Sequence, residues 1–322
     1  MNGAGREIWV LGETIGQTPC PHTLELIGKA AALAEQSGGA VFCLTDNLKK
    51  DACGLLFAAG CSRVFLYGAP WSEYVCSRIL ADYARQAVPD IILGSATVFG
   101  RSVMPQTAAL LKTGLTADCT GLSMTEDGLL LQTRPAFGGN LTADILCARA
   151  RPQMATVRPK IFPPPALDDQ RSGEIVSIPR KDGMREPVRV VSRIPVPGQS
   201  NISEAEIIIA GGAGIGSKEG FSRLYELAHL LGGAVGASRA AVNAGYADSW
   251  AQIGLTGSTV RPRLYLAFGI SGAVQHTAGM RSAGKVIAVN TDPRAPIFDY
   301  SDIAVIADWQ ETLDALLREL SD

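Results

Sequence analysis

The amino-acid sequence predicts an α/β protein of two domains, each built on a mainly parallel sheet flanked by helices. Short apolar runs alternate with helix-forming segments in both halves of the chain, which is the pattern of repeated β-α units. The runs are apolar almost throughout, as in strands that helices cover on both faces. The length of 322 residues also exceeds the size at which a single core usually keeps growing.

The first domain is predicted to span residues 1–196. Four apolar runs predict its strands, each followed by a helical segment; they read IWVLGE, AVFCLT, RVFLYG and DIILGSA. From residue 116 to residue 194 the pattern changes to shorter extended pieces separated by Pro and Gly. We expect this stretch to add antiparallel β-structure that completes the domain.

The second domain is predicted to span residues 197–322, after a stretch rich in Pro, Gly and polar residues. Its strands are predicted from EIIIAG, RLYLAFG, AGKVIAVN and SDIAVIAD. Its helices are predicted from KEGFSRLYELAHLLG, SGAVQHTAGMRSA and WQETLDALLREL, of which the first and the last have one apolar face. Open parallel sheets bind ligands at the carboxyl ends of their strands, so we expect a site there.

Charge and composition argue against several classes of protein. A net charge of -2 and a pI near 6.0 are not those of a nucleic-acid binder. No apolar run approaches the roughly 18 residues of a membrane span, and the N-terminal stretch has no signal-peptide core. We therefore expect a cytoplasmic protein without membrane insertion. The 7 Cys have no C-x-x-C spacing and the 3 His are far apart, which predicts structural thiols and no metal site.

A Gly-rich turn, GGAGIGS, joins a predicted strand to a predicted helix, as dinucleotide sites require. Ser217 stands where the G-x-G-x-x-G fingerprint has its third Gly. By itself the segment is better explained as a tight turn.

Polar groups also fall at the ends of other predicted strands. Ser238 is positioned to cap a helix, and Arg239 in its first turn opposes the helix dipole unless a carboxylate or an anionic ligand compensates. Thr256 lies in a loop flanked by Gly. Ser271 is predicted to cap a further helix, which carries His276.

Asn290 and Asp308 end two more predicted strands, and Asp308 is also positioned to cap the last predicted helix. Such residues are common in turns, and they also recognise ribose and adenine. Each of these groups has an ordinary structural explanation, such as a solvated Arg, a β-turn or a structural His. Because they fall together at the strand ends of one domain, a shared nucleotide site explains them better as a set.

These segments carry a resemblance to a known family. The second domain resembles the electron transfer flavoprotein alpha subunit through GAGIGSKEGFSRLYELA, VGASRAAVNAG, QIGLTGSTVRPRLYLAFGISGAVQHTAGM and VIAVNTDPRAPIFDYSDIAVIAD. In the first domain GLTADCTGL, TRPAFGGN and RPQMATVRP agree. The resemblance implies a Rossmann-like FAD-binding second domain, FAD as the cofactor, and an obligate beta subunit that forms a heterodimer through the first domain.

The resemblance also implies which residues bind FAD. Arg239 matches a residue near the isoalloxazine ring, the Thr256 hydroxyl one that faces flavin N5, and His276 one that reaches the flavin C2 carbonyl. The segment 271–276 matches the turn at the phosphate and ribityl groups. The full implied set is Ser238, Arg239, Ile253, Gly254, Leu255, Thr256, Ser271, Gly272, Ala273, Val274, Gln275, His276 and, at the adenosine end, Asn290, Asp308 and Trp309.

Three positions depart from the family pattern. Ala213 stands where the family commonly has Arg, Leu255 where it commonly has Gln, and Ser258 where it often has Lys. The family's own side-chain contacts with FAD therefore do not carry over to these positions, whereas backbone contacts stay compatible with the departures.

Electron transfer needs no nucleophile and no acid–base pair, because the flavin supplies the chemistry. We hypothesise that Arg239, Thr256 and His276 tune the flavin. Arg239 and His276 would stabilise the negative charge that reduction places on the N1–C2=O region of the ring. Arg239 is always charged, whereas a neutral His276 would act as a donor.

The resemblance implies a carrier between a dehydrogenase, such as an acyl-CoA dehydrogenase of fatty acid beta-oxidation or another flavin dehydrogenase, and a further acceptor or donor. Conventional members pass single electrons to a quinone reductase. Bifurcating members hold a second FAD in the beta subunit and accept hydride from NADH, an activity that needs the beta subunit and a partner dehydrogenase. General similarity favours the bifurcating type. An NAD-dependent dehydrogenase and a non-redox nucleotide-binding module are the competing functions.

Overall fold

The computed structural model describes residues 6–136, 141–179, 188, 191–192, 202–203 and 205–321. Contacts separate them into two compact units: the described residues up to Ser192 fall in the first unit, and those from Ile202 onward fall in the second. The predicted domain boundary between residues 196 and 197 lies outside the described residues and stays a prediction.

The first unit is built on a parallel sheet of 7 strands among the described residues. Its elements in chain order are β1 (Glu7–Leu11), β2 (Thr14–Ile15), β3 (Thr18–Pro19), α1 (Pro21–Ser37), β4 (Ala40–Asp46), α2 (Cys53–Ala58), β5 (Arg63–Tyr67), α3 (Glu73–Ala87), β6 (Ile91–Ser95), α4 (Val98–Leu111), β7 (Leu115–Cys119), β8 (Gly121–Met124), β9 (Leu130–Ala136), β10 (Leu141–Leu146), β11 (Gln153–Val157) and β12 (Glu174–Ile178). The sheet has the order β12-β5-β4-β1-β6-β11-β7. The four strands predicted from the first apolar runs, β1, β4, β5 and β6, lie side by side in it.

The stretch after α4 is only partly antiparallel. The prediction is right for β8, β9 and β10, which form an antiparallel sheet in the order β10-β9-β8. It is wrong for β7, β11 and β12, which join the main sheet in parallel. All of β11 is buried, and its polar Gln153 and Thr156 accept hydrogen bonds from the backbone of Leu130 (2.9 Å) and Asp118 (3.0 Å). These internal partners let polar residues occupy an inner strand that the sequence pattern does not reveal.

Alternate residues of β1 pack on the two faces of the main sheet. Ile8 and Val10 pack with α1 and α2, whereas Trp9 and Leu11 pack with α3 and α4. Six Cys of this unit are buried, at positions 20, 43, 53, 61, 76 and 119. Among the helices that the structure describes, none combines the length and the apolar character needed to cross a membrane.

The second unit is built on a parallel sheet of 5 strands among the described residues. Its elements are β13 (Ile207–Gly211), α5 (Lys218–Leu230), β14 (Ala234–Ala237), α6 (Arg239–Asn243), β15 (Leu264–Phe268), α7 (Val274–Thr277), β16 (Lys285–Asn290), β17 (Ile303–Ile306) and α8 (Trp309–Ser321). The order is β14-β13-β15-β16-β17. Because β14 and β15 lie on opposite sides of β13, the carboxyl ends of β13 and β15 form the switch point at which such sheets bind ligands. The predicted fold class, two α/β units on mainly parallel sheets, is confirmed.

Helices α5 and α8 cover one face of the second sheet. The predicted apolar face of α5 is buried through Phe221 and Leu224, and the Ser217 hydroxyl accepts a backbone N–H of its first turn (3.0 Å). The predicted cap of the last helix is confirmed as well, since the Asp308 carboxylate accepts the N–H of Gln310 (2.7 Å). These caps determine the residue at which each helix begins.

Replacing Phe221 with Ala tests the contribution of α5 to this core. Phe221 is 1% exposed, so its loss leaves a cavity beside the sheet and should lower the free energy of unfolding by about 3–5 kcal/mol. Tyr225 lies on the same helix and is 41% exposed, so Tyr225→Ala should cost about 1 kcal/mol or less. Denaturant unfolding measures both; equal losses would contradict the packing described.

Candidate functional site

A cavity of about 480 Å³ lies at the carboxyl edge of the second sheet. Three segments form its wall: α6 with the residue before it, the loop after residue 251, and the turn that follows β15. The lining residues are Ser238, Arg239, Ala240, Asn243, Gln252, Ile253, Gly254, Leu255, Thr256, Ile270, Ser271, Ala273, Gln275 and His276. The volume is that of a pocket for a small molecule or part of a larger cofactor.

Ser238 and Arg239 follow β14 directly. The Ser238 hydroxyl accepts the N–H of Ala241 (3.3 Å), which confirms the predicted cap. Arg239 is exposed, and the ion pairs found among the described residues include none with its guanidinium. A permanent cation in the first turn of a helix is unfavourable without a partner, so this side of the cavity is suited to an anionic group.

The loop 252–258 forms the facing wall. Its backbone is held by a bond from Leu255 N–H to the Gln275 carbonyl (2.8 Å). The Gln252 amide donates to the Thr256 hydroxyl oxygen (2.9 Å). Because that oxygen accepts from Gln252, the Thr256 hydroxyl hydrogen is left to donate to another acceptor.

His276 is buried at the bottom of the cavity wall, with both ring nitrogens bonded to protein groups. Its Nδ1 lies 3.1 Å from the Ile253 carbonyl oxygen and its Nε2 lies 2.9 Å from the Tyr265 hydroxyl. Burial lowers the pKa of His276 to about 4, although the bond to Ile253 opposes this shift. The imidazole is therefore neutral near pH 7, as expected for a histidine that acts without a charge, and the bonds to Ile253 and Tyr265 already occupy both of its ring nitrogens.

The turn after β15 is less helical than predicted. The prediction of a helix over residues 271–283 is wrong, because α7 has a single turn with Ala273 in the cap position. Ser271 does not cap it; its carbonyl instead accepts the N–H of Ile297 (3.1 Å), which ties the turn to the chain beyond β16.

Backbone donors of this turn face no internal acceptor. Among the described residues, no hydrogen bond is donated by the N–H groups of residues 271–275. Consecutive N–H groups without internal partners form a concave site for an anion. The turn thus complements Arg239 on the other side of the cavity.

Five residues of the predicted site do not line the cavity; they are Gly272, Val274, Asn290, Asp308 and Trp309. The Asn290 amide donates to the Ile270 carbonyl (3.0 Å) and its side-chain oxygen accepts the N–H of Asp292 (2.9 Å), so it positions a residue of the wall. Trp309 is 8% exposed and packs in the core against α5. The contact of Asn290, Asp308 and Trp309 with adenosine stays a prediction.

The Gly-rich turn after β13 also lies outside the cavity lining. It forms a short 3-10 helix, and its Gly214 N–H donates to the carbonyl of Gly269 at the end of β15 (3.1 Å). The turn therefore joins the two strands at the switch point, which agrees with its explanation as a tight turn.

Comparison with known proteins places the chain in a family. The family model described as the electron transfer flavoprotein domain matches residues 8–182, and the one described as the electron transfer flavoprotein FAD-binding domain matches residues 201–281. An electron transfer flavoprotein subunit alpha of Thermoanaerobacterium thermosaccharolyticum is 41% identical, over 98% of this chain and 98% of its own.

The chain belongs to the electron transfer flavoprotein alpha-subunit family. The subunit alpha of Clostridium acetobutylicum is 39% identical over 99% of this chain and 98% of its own. Subunit LctC of a lactate dehydrogenase (NAD(+),ferredoxin) of Acetobacterium woodii is 40% identical over 92% of this chain and 72% of its own. The expected role in electron transfer is confirmed at the level of the family.

FAD is the cofactor, and the cavity fits it. The matched FAD-binding domain of the electron transfer flavoprotein family contains every residue of the lining. Ile253, Leu255 and Ile270 supply apolar surface for a planar ring system. The N–H groups of residues 271–275, which donate no hydrogen bond among the described residues, supply donors for the anionic pyrophosphate of FAD, and Arg239 places a positive charge in another wall of the cavity.

Four lining residues were not predicted from the sequence: Ala240, Asn243, Gln252 and Ile270. Asn243 follows Arg239 by one helical turn, and residues four apart lie on the same face of a helix, so this spacing was a usable signal. Gln252 directly precedes Ile253, the first residue of this loop that was predicted to bind FAD, but nothing in the sequence shows that its amide would reach Thr256.

Replacing Gly254 with Ala should open the loop wall of the electron transfer flavoprotein site. Gly254 has φ +141, and a Cβ would lie 2.5 Å from the Gln275 carbonyl oxygen. We expect the free energy of unfolding to fall by about 3 kcal/mol and FAD to be lost during purification.

Gly245→Ala is the matched control, because Gly245 has φ +76 but no atom within 4 Å of the position that a Cβ would take. It should cost about 1–2 kcal/mol and leave the FAD content unchanged. Thermal unfolding and the flavin absorbance of the purified protein measure both variants. If Gly254→Ala behaves like its control, the contact between the loop and α7 does not shape the site.

Proposed function

We propose that this chain is the FAD-binding alpha subunit of a heterodimeric electron transfer flavoprotein, paired with a beta subunit. It carries electrons between a flavin-dependent dehydrogenase, such as an acyl-CoA dehydrogenase, and another acceptor or donor. The observation that carries the proposal is the cavity at the carboxyl edge of the second sheet, whose lining holds apolar side chains, the Arg239 guanidinium and a turn whose N–H groups donate no hydrogen bond among the residues that the structure describes. The cytoplasmic location stays a prediction.

FAD, when bound, supplies the chemistry of accepting and releasing electrons. The chain supplies orientation and charge. The loop 252–258 offers a hydroxyl hydrogen at Thr256, and apolar residues of the wall exclude water from the ring. Among the described residues of the lining, no Ser or Thr hydroxyl is bonded to His276, whose ring nitrogens contact Ile253 and Tyr265 instead.

Arg239 is the residue we propose as the source of positive charge. Its guanidinium is permanently protonated, whereas His276 is neutral in its buried place. A nearby cation favours the electron-rich form of the cofactor. An interaction of about 1.4 kcal/mol corresponds to roughly 59 mV in a one-electron potential.

The bifurcating type is the one we propose, with NADH as the electron source. The support comes from the LctC relative, whose name joins a dehydrogenase to NAD(+) and ferredoxin. The relatives named subunit alpha support the pairing with a second subunit. A bifurcating electron transfer flavoprotein holds a second FAD in its beta subunit, so cofactor content distinguishes the two types.

The variant Arg239→Ala tests the charge. We expect the midpoint potential of the bound FAD to fall by roughly 60 mV or more, because about 1.4 kcal/mol of favourable interaction is lost. Arg239→Lys keeps the charge and should recover part of the shift. Arg281→Ala removes an exposed arginine outside the cavity lining and should leave the potential unchanged. An unchanged midpoint potential in Arg239→Ala would contradict the proposed role of Arg239 as the source of positive charge.

Counting cofactors tests the proposed type. The chain purified with its beta subunit should be yellow, release two FAD per heterodimer and be reduced by NADH. One FAD with one AMP and no reduction by NADH would identify the conventional type. A colourless heterodimer that binds nucleotide without flavin would overturn the electron-transfer function itself.

A further inference from the structure

A buried pair, Tyr265 and His276, lies behind the cavity wall. Tyr265 is in the middle of the sheet on β15 and is 0% exposed, and its hydroxyl lies 2.9 Å from Nε2 of His276. A buried hydroxyl without a partner is costly, so this bond is needed by the tyrosine itself. Tyr265 is not among the residues that line the cavity.

The second bond of the imidazole determines where its protons are. Nδ1 faces the Ile253 carbonyl, which can only accept, so Nδ1 carries a hydrogen. Burial favours the neutral ring, which leaves a lone pair on Nε2. Tyr265 then donates its O–H to Nε2, and the three groups form a directed chain from Tyr265 through His276 to Ile253.

This chain connects three parts of the site. It starts on β15, passes through α7 and ends at Ile253, whose N–H is bonded to the carbonyl of Ala237 at the end of β14 (2.9 Å). Ile253 is therefore held from both sides, and it begins the loop that forms the facing wall of the cavity. A ring nitrogen bonded to a fixed partner sets both the tautomer and the orientation of a histidine.

We propose that Tyr265 is a positioning residue of the FAD site: its hydroxyl fixes His276 as the Nδ1–H tautomer, and His276 in turn holds the Ile253 carbonyl and the loop 253–256 against α7. The inference rests on the proposed function for its effect on FAD. Its structural part, the tautomer of His276, can be observed without the cofactor. His276 acts here through the loop and not as a cation beside the ring.

The test is Tyr265→Phe in the full chain paired with its beta subunit. The change removes one oxygen and leaves the apolar ring in place. We expect the dissociation constant for FAD to rise by about 2- to 12-fold, which is the range of one hydrogen bond. We also expect the imidazole nitrogen shifts of His276 to change from a single Nδ1–H tautomer to a mixture. Tyr246→Phe is the control, since Tyr246 packs on the other face of the same sheet and should change neither measurement.

A double variant shows whether Tyr265 acts through His276. In a His276→Gln background, Tyr265→Phe should cause little further loss of FAD, because the connection is already broken. A second, full loss in that background would overturn the proposal, as would wild-type nitrogen shifts and FAD affinity in Tyr265→Phe. A wild-type heterodimer that binds no FAD would overturn the proposed function instead, while the nitrogen shifts would still decide the tautomer.

Discussion

The FAD cavity depends on a set of hydrogen bonds between two irregular segments, the loop that spans residues 252–260 and the turn around α7. Leu255 N–H donates to the Gln275 carbonyl (2.8 Å), and Val260 N–H donates to the Gly279 carbonyl (2.8 Å). His276 adds a side-chain bond to the same set. Backbone groups at this depth need partners, and each segment supplies those of the other. The shape of the cavity is thus set by two segments that satisfy each other's backbone groups.

The parallel sheet decides where this set of hydrogen bonds forms. Because β14 and β15 lie on opposite sides of β13, a crevice opens beyond the carboxyl ends of these strands. The segments that follow β14 and β15 line this crevice from its two sides. In this chain Leu255, a departure from the family pattern, contributes its N–H to the set regardless of its side chain.

Much of the fold could be predicted from the sequence because apolar runs and helix caps act locally. Ser238 and Asp308 were predicted as caps from residue type and position alone, and both accept the expected N–H groups. The parallel place of β11 in the main sheet was not predicted, because Gln153 and Thr156 interrupt its apolar run. The hydrogen-bond partners of these two side chains come from residues far away in the chain. Ser271 has the residue type of a cap but does not cap α7. Its carbonyl instead accepts the N–H of Ile297, a residue far away in the chain.

The site shows the same division between local and distant causes. The resemblance to the family named Arg239, Thr256 and His276, all of which line the cavity. It did not reveal that Gln252 holds the Thr256 hydroxyl or that Tyr265 holds the His276 ring, because both bonds depend on packing in three dimensions. The charge of His276 likewise depends on how deeply the side chain is buried, and burial cannot be read from the type of residue alone.

The buried cysteines give this electron carrier a chemical property of its own. Burial raises the pKa of Cys61 and of Cys119 to about 12, and it also raises the pKa of Cys43 and Cys76. A thiol with such a pKa is ionised to about one part in 100,000 at pH 7, and the thiolate is the form that oxidants and disulfides attack. Burial therefore keeps these four sulfur atoms almost entirely in the thiol form, which oxidants and disulfides attack least.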